Sequence, residues 1–185
     1  MLAKKSDNSL RFCLDYRQSN ELTYKDSYPL PRISACLDAV GGAAFYSTMD
    51  LRSGFWQTVM DPRDMDKTAF VTRCGQFGFK VPSFGLANAP SLFQSITDLV
   101  LAGLTWNTCL VDEVICYAKS FEQHVGRLGQ VFARLNAAGL KLKPSECKLF
   151  LRRLAFRAHR QPGRSGGRPH QSSSYRRVAR STKRG

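Results

Sequence analysis

Apolar positions along the chain fall into short strand-like and helix-like runs separated by polar, Gly and Pro stretches. Residues 10–16, between polar flanks, read as a strand, and residues 43–51 read as a second with β-branched and aromatic content. Pro29 and Pro31 break the chain before a short helix over 33–40, which Gly41-Gly42 stops. Residues 67–72 and 76–81 bracket Cys74-Gly75 and predict a hairpin. Asn88 as N-cap and Pro90 in the first turn predict a helix running to about Leu104. Residues 108–111 and 114–117 form two β arms around Asp112-Glu113. Ser120 with Gln123 reads as a capping box for a helix whose Val125, Leu128, Val131, Phe132 and Leu135 share one face and which Gly139 ends. Residues 140–142 and 149–151 are short strand candidates. Strands interleaved with helices predict a mixed α+β domain.

The pattern stops after about Arg160. Residues 161–185 are rich in Arg, Ser, Gly and Pro, with Tyr175 and Val178 as their large apolar residues. Such a segment buries too little surface to offset its ordering entropy and is expected to be disordered. No internal repeat is present.

Charge follows the same division. A net charge of +14 over 185 residues points to a nucleic-acid partner. Eleven of the 28 basic residues lie in 151–185, which has no Asp or Glu. Residues 1–150 keep 17 basic against 14 acidic side chains, a net of +3, so the basicity belongs mainly to the tail. The six cysteines form no C-x-x-C pair and the three histidines are not clustered, which predicts no zinc site. Isolated cysteines in apolar runs read as buried, reduced thiols of an intracellular protein. No signal-peptide core and no apolar stretch of about 18 residues is seen, so neither secretion nor membrane spanning is expected.

Two stretches carry candidate chemistry: Thr48-Met49-Asp50-Leu51-Arg52-Ser53-Gly54-Phe55 and Cys109-Leu110-Val111-Asp112-Glu113-Val114-Ile115. Each is an apolar run ending in a carboxylate. If their strands are neighbours, the acids meet at one sheet edge, where a polymerase holds its metal ions. With the blocks at 10–17, 25–32 (Lys-Asp-Ser-Tyr-Pro-Leu-Pro-Arg), 47–57, 67–73, 84–90 and 138–144, in this order and at these gaps, the chain resembles the reverse transcriptases of gypsy-type LTR retrotransposons. The likeness covers roughly residues 2–156.

The resemblance implies a right-hand polymerase: fingers and palm over residues 1–156, an antiparallel palm sheet packed on helices, and a disordered basic C-terminal tail over 157–185. It implies an RNA-directed DNA polymerase that adds dNTPs to an RNA or DNA template-primer with two Mg²⁺ ions, or Mn²⁺ in their place. Asp50 and Asp112 match the family's metal ligands, and Glu113 matches the second acid of its Tyr-x-Asp-Asp hairpin. Lys4 and Arg11 match fingers residues that grip the triphosphate. Phe55 matches the aromatic that excludes a 2′-hydroxyl. Phe84-Gly85 resembles the Pro-Phe-Gly block beside the nucleotide pocket, with Ser83 in place of the Pro and Pro82 one position earlier.

The sequence also departs from that pattern. Aligned on its flanks, the acid hairpin lacks two residues, and its second acid is Glu. The missing pair keeps each side chain on its face but shortens the arm by about 6.6 Å, which predicts greatly reduced or absent catalysis. Phe156-Arg157-Ala158-His159 replaces the family's Phe-Leu-Gly-His segment, and the loss of likeness beyond it reads as a frameshift near 151–160. Upstream fingers, thumb and RNase H are expected to lie outside this chain, which argues against processive synthesis. The competing expectation is a catalytically dead remnant that binds nucleic acid non-specifically through its basic tail.

Overall fold

The computed structural model describes residues 2–4, 8 and 10–154. The expected disordered tail over 157–185 and the departure at Phe156–His159 lie outside the described residues. In chain order the elements are β1 (Leu2–Lys4), β2 (Leu10–Phe12), α1 (Arg17–Leu22), α2 (Ile33–Ala39), β3 (Phe45–Asp50), α3 (Pro62–Met65), β4 (Phe70–Thr72) and β5 (Gly75–Phe77). They continue with α4 (Ala89–Val100), β6 (Asn107–Leu110), β7 (Glu113–Ala118), α5 (Phe121–Ala137) and β8 (Lys148–Leu151).

An antiparallel sheet of order β6-β7-β3-β8 is the centre, beside two ribbons, β1-β2 and β4-β5. Alternation along β3 sends Met49 and Leu51 to one face and Tyr46, Thr48 and Asp50 to the other. On the first face Met49, Leu51, Cys109, Val114 and Cys116 form a core with Phe93 of α4 and Leu128, Val131 and Leu135 of α5. On the second face Val40, Ala43, Tyr46, Ile115 and Leu154 make a smaller cluster, gathered at the Tyr46 end of β3 and away from Asp50. This is the expected α+β arrangement of an antiparallel sheet packed on helices.

Local outcomes differ from the sequence reading at identifiable points. The strand expected over 10–16 ends at Phe12, and α1 follows it. α4 stops at Val100, four residues short, in a turn through Gly103 at φ +83°. Asn88 occupies its N-cap, but its side chain makes no cap bond. Its Oδ1 instead accepts from the Asp26 N–H and its Nδ2 donates to the Tyr24 carbonyl. At α5 the cap forms as expected: Ser120 Oγ accepts from the Gln123 N–H, while Gln123 Oε1 accepts from the Lys119 N–H. Residues 140–142 form an isolated bridge, Leu51 opposite Leu142, rather than a strand. The ladder between β3 and β8 is irregular, with Phe150 at φ +55° and its N–H donating to Ser47 Oγ.

Cysteines 36, 109 and 116 are buried, as their apolar runs imply, but Cys74 is exposed beside the β4-β5 turn, because that ribbon packs neither face of its tip into the core. Among the described residues no helix is long and apolar enough to cross a membrane.

Candidate active site

β3 and β7 run antiparallel with Asp50 directly opposite Glu113. Paired residues share a face, so these two carboxylates are cross-strand neighbours with Cβ atoms about 5 Å apart. The Leu51 N–H donates to the Asp112 carbonyl at 2.8 Å, which carries the ladder one residue further. Asp50 and the Asp112-Glu113 pair therefore meet at one end of the sheet. All three acids are half-buried. On the other flank the Lys143 N–H donates to the Asp50 carbonyl and the Arg52 N–H to the Lys141 carbonyl, both at 2.8 Å.

Gly54 sets the spacing on the Asp112 side. It sits at φ +26°, after Ser53 at φ +56°, and a Cβ placed there would lie 3.5 Å from Asp112 Cβ and 3.9 Å from its Oδ2. The backbone after β3 thus lies directly against the Asp112 side chain.

The hairpin tip is Val111-Asp112, one residue earlier than expected, with Leu110 paired to Glu113. Two hydrogen bonds fix it there: Leu51 N–H to the Asp112 carbonyl, and Val111 N–H to Gln94 Oε1 at 2.7 Å. Asn107 is recruited into β6, and the Tyr117 N–H donates to the Trp106 carbonyl. Glu113 stands level with Asp50. The two-residue turn requires a positive φ at its first position. Val111, a β-branched residue, is held at φ +57° in the left-handed region, where such residues are outliers costing about 1–3 kcal/mol.

Phe55, Phe84 and Gly85, expected beside a nucleotide, come together. The Phe55 ring lies 5.5 Å from Phe84 and 5.9 Å from Phe93, and Trp56 lies 5.7 Å from Phe84. Gly85 is at φ +103°, and a Cβ there would stand 3.4 Å from the Tyr16 ring. Its carbonyl accepts from Asn20 Nδ2, and Asn20 Oδ1 accepts from the Ala87 N–H. Ser83, in the place of the family's Pro, is buried and donates to Tyr16 Oη at 2.8 Å. Burial raises the Tyr16 phenol above its ordinary pKa. Lys4 and Arg11 fall on the β1-β2 ribbon, their backbones opposite Leu10 and Ala3.

Three glutamine and asparagine side chains that hold this region together escaped the sequence reading. Gln94 is fully buried; its Nε2 donates to Asp98 Oδ1 and to the Cys109 carbonyl. Gln57 joins two loops: Nε2 donates to the Arg52 and Lys141 carbonyls, and Oε1 accepts from the Lys141 N–H. Asn20 does the same for Gly85 and Ala87. The signal available for Gln57 and Gln94 was an amide directly after large aromatics in an apolar run, where a polar side chain is buried only with partners.

Burial pushes the Cys109 thiol up to about 12 and Cys116 up to about 11, so neither is a thiolate near neutral pH. Among the described residues no three His, Cys, Asp or Glu side chains are grouped as a metal site. Mg²⁺ is commonly held by one or two carboxylates with substrate phosphate oxygens completing the shell. Hard carboxylate donors at one sheet edge suit that mode.

Comparison with known proteins places this geometry. The sequence profile described as "Reverse transcriptase (RNA-dependent DNA polymerase)" matches residues 3–177. The Pol polyprotein of Drosophila melanogaster transposon 297 is 36% identical over 154 residues, 82% of this chain and 14% of that protein. That of transposon gypsy is 34% identical over 142 residues, 76% of this chain and 14% of its own. An RNA-directed DNA polymerase homolog of Oenothera berteroana is 37% identical over 125 residues, 65% of this chain and 88% of that protein. Among solved structures, a foamy viral protease-reverse transcriptase in complex with double-stranded DNA superposes with a TM-score of 0.79 at 24% identity, covering 84% of this chain and 27% of that one. The same enzyme with an RNA/DNA hybrid gives 0.78. The chain spans about one-seventh of the transposon polyproteins it matches. Fold, motif order and sequence agree: this chain belongs to the reverse transcriptase family, as a fingers/palm domain of the LTR-retrotransposon kind.

Proposed function

We propose that the domain carries the nucleotidyl-transfer site of an RNA-directed DNA polymerase, with Asp50 and Asp112 as the residues that would hold divalent cations. Reverse transcriptases work with divalent metal ions, and Mg²⁺ bound at these carboxylates would offset the charge that develops on the attacking and leaving oxygens. The reaction joins a primer 3′-oxygen to the α-phosphorus of a dNTP, breaks the bond to pyrophosphate and releases the hydroxyl proton.

The other residues serve that step by position. Glu113, opposite Asp50, adds a third carboxylate to the edge. Phe55, packed between Phe84 and Phe93, is held rigidly enough to exclude a 2′-hydroxyl by bulk. Gly85, without a side chain, lets backbone approach the nucleotide. Lys4 and Arg11 supply cations for the triphosphate. An RNA or DNA template-primer is the partner.

One observation supports this reading: the Asp50–Glu113 pairing and the adjoining Leu51–Asp112 hydrogen bond set the backbones of acids far apart in sequence at one end of the sheet. Primer extension on an RNA template with Mg²⁺ or Mn²⁺ tests it. Metal-dependent incorporation at a greatly reduced, non-processive level, abolished by Asp50→Ala, is the expected result. No incorporation by the unaltered chain overturns it. The second reading, a remnant that only binds nucleic acid through its basic C-terminal sequence, is favoured by Glu in the second acid position.

A further inference from the structure

A chain of hydrogen bonds runs from the extended segment before α2 to the acid hairpin. Tyr28 Oη donates to Asp98 Oδ2 at 2.7 Å. Asp98 Oδ1 accepts from Gln94 Nε2 at 2.8 Å. Gln94 Oε1 accepts from the Val111 N–H at 2.7 Å, and Gln94 Nε2 also donates to the Cys109 carbonyl at 3.2 Å. Val111 is the residue before Asp112.

The partners leave the Gln94 amide one orientation. Its nitrogen faces a carboxylate and a carbonyl, and its oxygen faces an N–H, so the flipped amide would set an oxygen against two acceptors. Asp98 in turn fixes Gln94 only while its own oxygens are placed, and Tyr28 occupies the second of them. The Tyr28 phenol stays protonated to higher pH than usual, because of its bond to Asp98 and its burial.

Tyr28 is itself anchored. Its N–H donates to Asp26 Oδ1, and the Asp26 N–H donates to Asn88 Oδ1. Asn88 Nδ2 donates to the Tyr24 carbonyl. The segment from Tyr24 to Tyr28 is thus tied to α4 at Asn88 and again at Asp98, about 15 Å along the helix. The hairpin needs such support, because Val111 is strained and nothing else in its side chain favours the left-handed region.

We propose that Tyr28 and Asp98 are positioning residues for the Asp112 hairpin, acting through Gln94. This rests on the reading of Asp112 as a metal-holding residue. It adds a dependence of the metal site on a segment that does not touch it.

The test uses the full chain with Tyr28→Phe, which removes one hydroxyl, and Asp98→Asn. Residue-resolved amide exchange and Mn²⁺ titration are measured for each. In both variants Val111 amide exchange is expected to rise about 5-fold, with Mn²⁺ affinity falling about 3-fold, the scale of one lost hydrogen bond. The Arg52 and Lys143 amides, bonded to the Lys141 and Asp50 carbonyls, keep their rates. An unchanged Val111 amide in both variants, or equal acceleration of all three amides, overturns the proposal. If the unaltered chain binds no Mn²⁺ while the Val111 amide still responds, the positioning stands and the metal-site reading fails.

Discussion

The two halves of the acid edge are built differently. Asp50 ends β3, a strand paired on both sides, with Tyr46 and Met49 fully buried and the Asp50 carbonyl satisfied by Lys143. Asp112 sits in a two-residue turn whose β6 arm is an edge strand, whose Val111 is left-handed, and whose outer N–H depends on one glutamine. A central strand tolerates little change in register, since its neighbours on both sides specify it. A hairpin can slide by an even number of residues and keep its faces. The difference lies in what holds each acid: Asp50 is fixed by a paired strand, and Asp112 by a strained turn that relies on Gln94.

The sharpest way to break this comparison is to damage each half and see which loss is larger. Met49→Ala empties a fully buried position in the core under β3. It is expected to cost about 3–4 kcal/mol in urea denaturation, the range for deleting a buried large side chain. Gln94→Leu comes next. It leaves the Val111 N–H and the Cys109 carbonyl without their partner inside the protein, at a cost of about 2–3 kcal/mol. Equal costs would mean that the hairpin is held as firmly as the strand.

Val111→Gly sharpens the contrast from the other side. Glycine adopts a φ of +57° without steric cost, but the Val111 side chain packs against the core, so the comparison is with Val111→Ala, which loses most of the same packing and keeps a Cβ in the left-handed region. Val111→Gly is expected to be about 1 kcal/mol more stable than Val111→Ala in urea denaturation, with an unchanged denaturant slope. A Val111→Gly protein no more stable than Val111→Ala would show that the left-handed tip carries no strain.

How much of this was legible follows the same line. Asp50 and Asp112 stood out because each ends an apolar run with a carboxylate, and the structure brings their backbones to one end of the sheet. The sheet, α2, α4 and α5 were readable from periodicity, Pro, Gly and Ser signals. The tip register was not, because sliding β6 by two residues leaves every side chain on its face and the hydrophobic pattern is silent between the alternatives. The links that shape the site were not legible either. Tyr16 meets Ser83 across 67 residues, Asn20 meets Gly85 across 65, and Gln57 meets Lys141 across 84. Such pairs depend on the tertiary fold, and local patterns carry no trace of them. α1, a polar helix with no buried residue, lacked the apolar stripe on which recognition depends.

The smallest expected effect concerns the strand half of the comparison. His124 of α5 is fully buried, and its Nε2 lies 2.7 Å from Ser47 Oγ on β3. The rings of Phe45 and Phe150 flank it, and its Nδ1 has no protein partner. Burial first, and the Arg127 charge second, lower its pKa below the ordinary 6.5. The folded chain therefore takes up this proton less readily than the unfolded chain. Above pH of about 6.5 both states hold a neutral ring and His124 adds no pH dependence. As pH falls below that value the unfolded state gains the proton first, and stability drops until the folded-state pKa is reached. Denaturation midpoints measured from pH 7.5 down to 5 should decline, and His124→Gln should flatten that decline while keeping a polar group opposite Ser47. A decline of the same slope in His124→Gln would place the titrating group elsewhere and leave β3 insensitive to this proton.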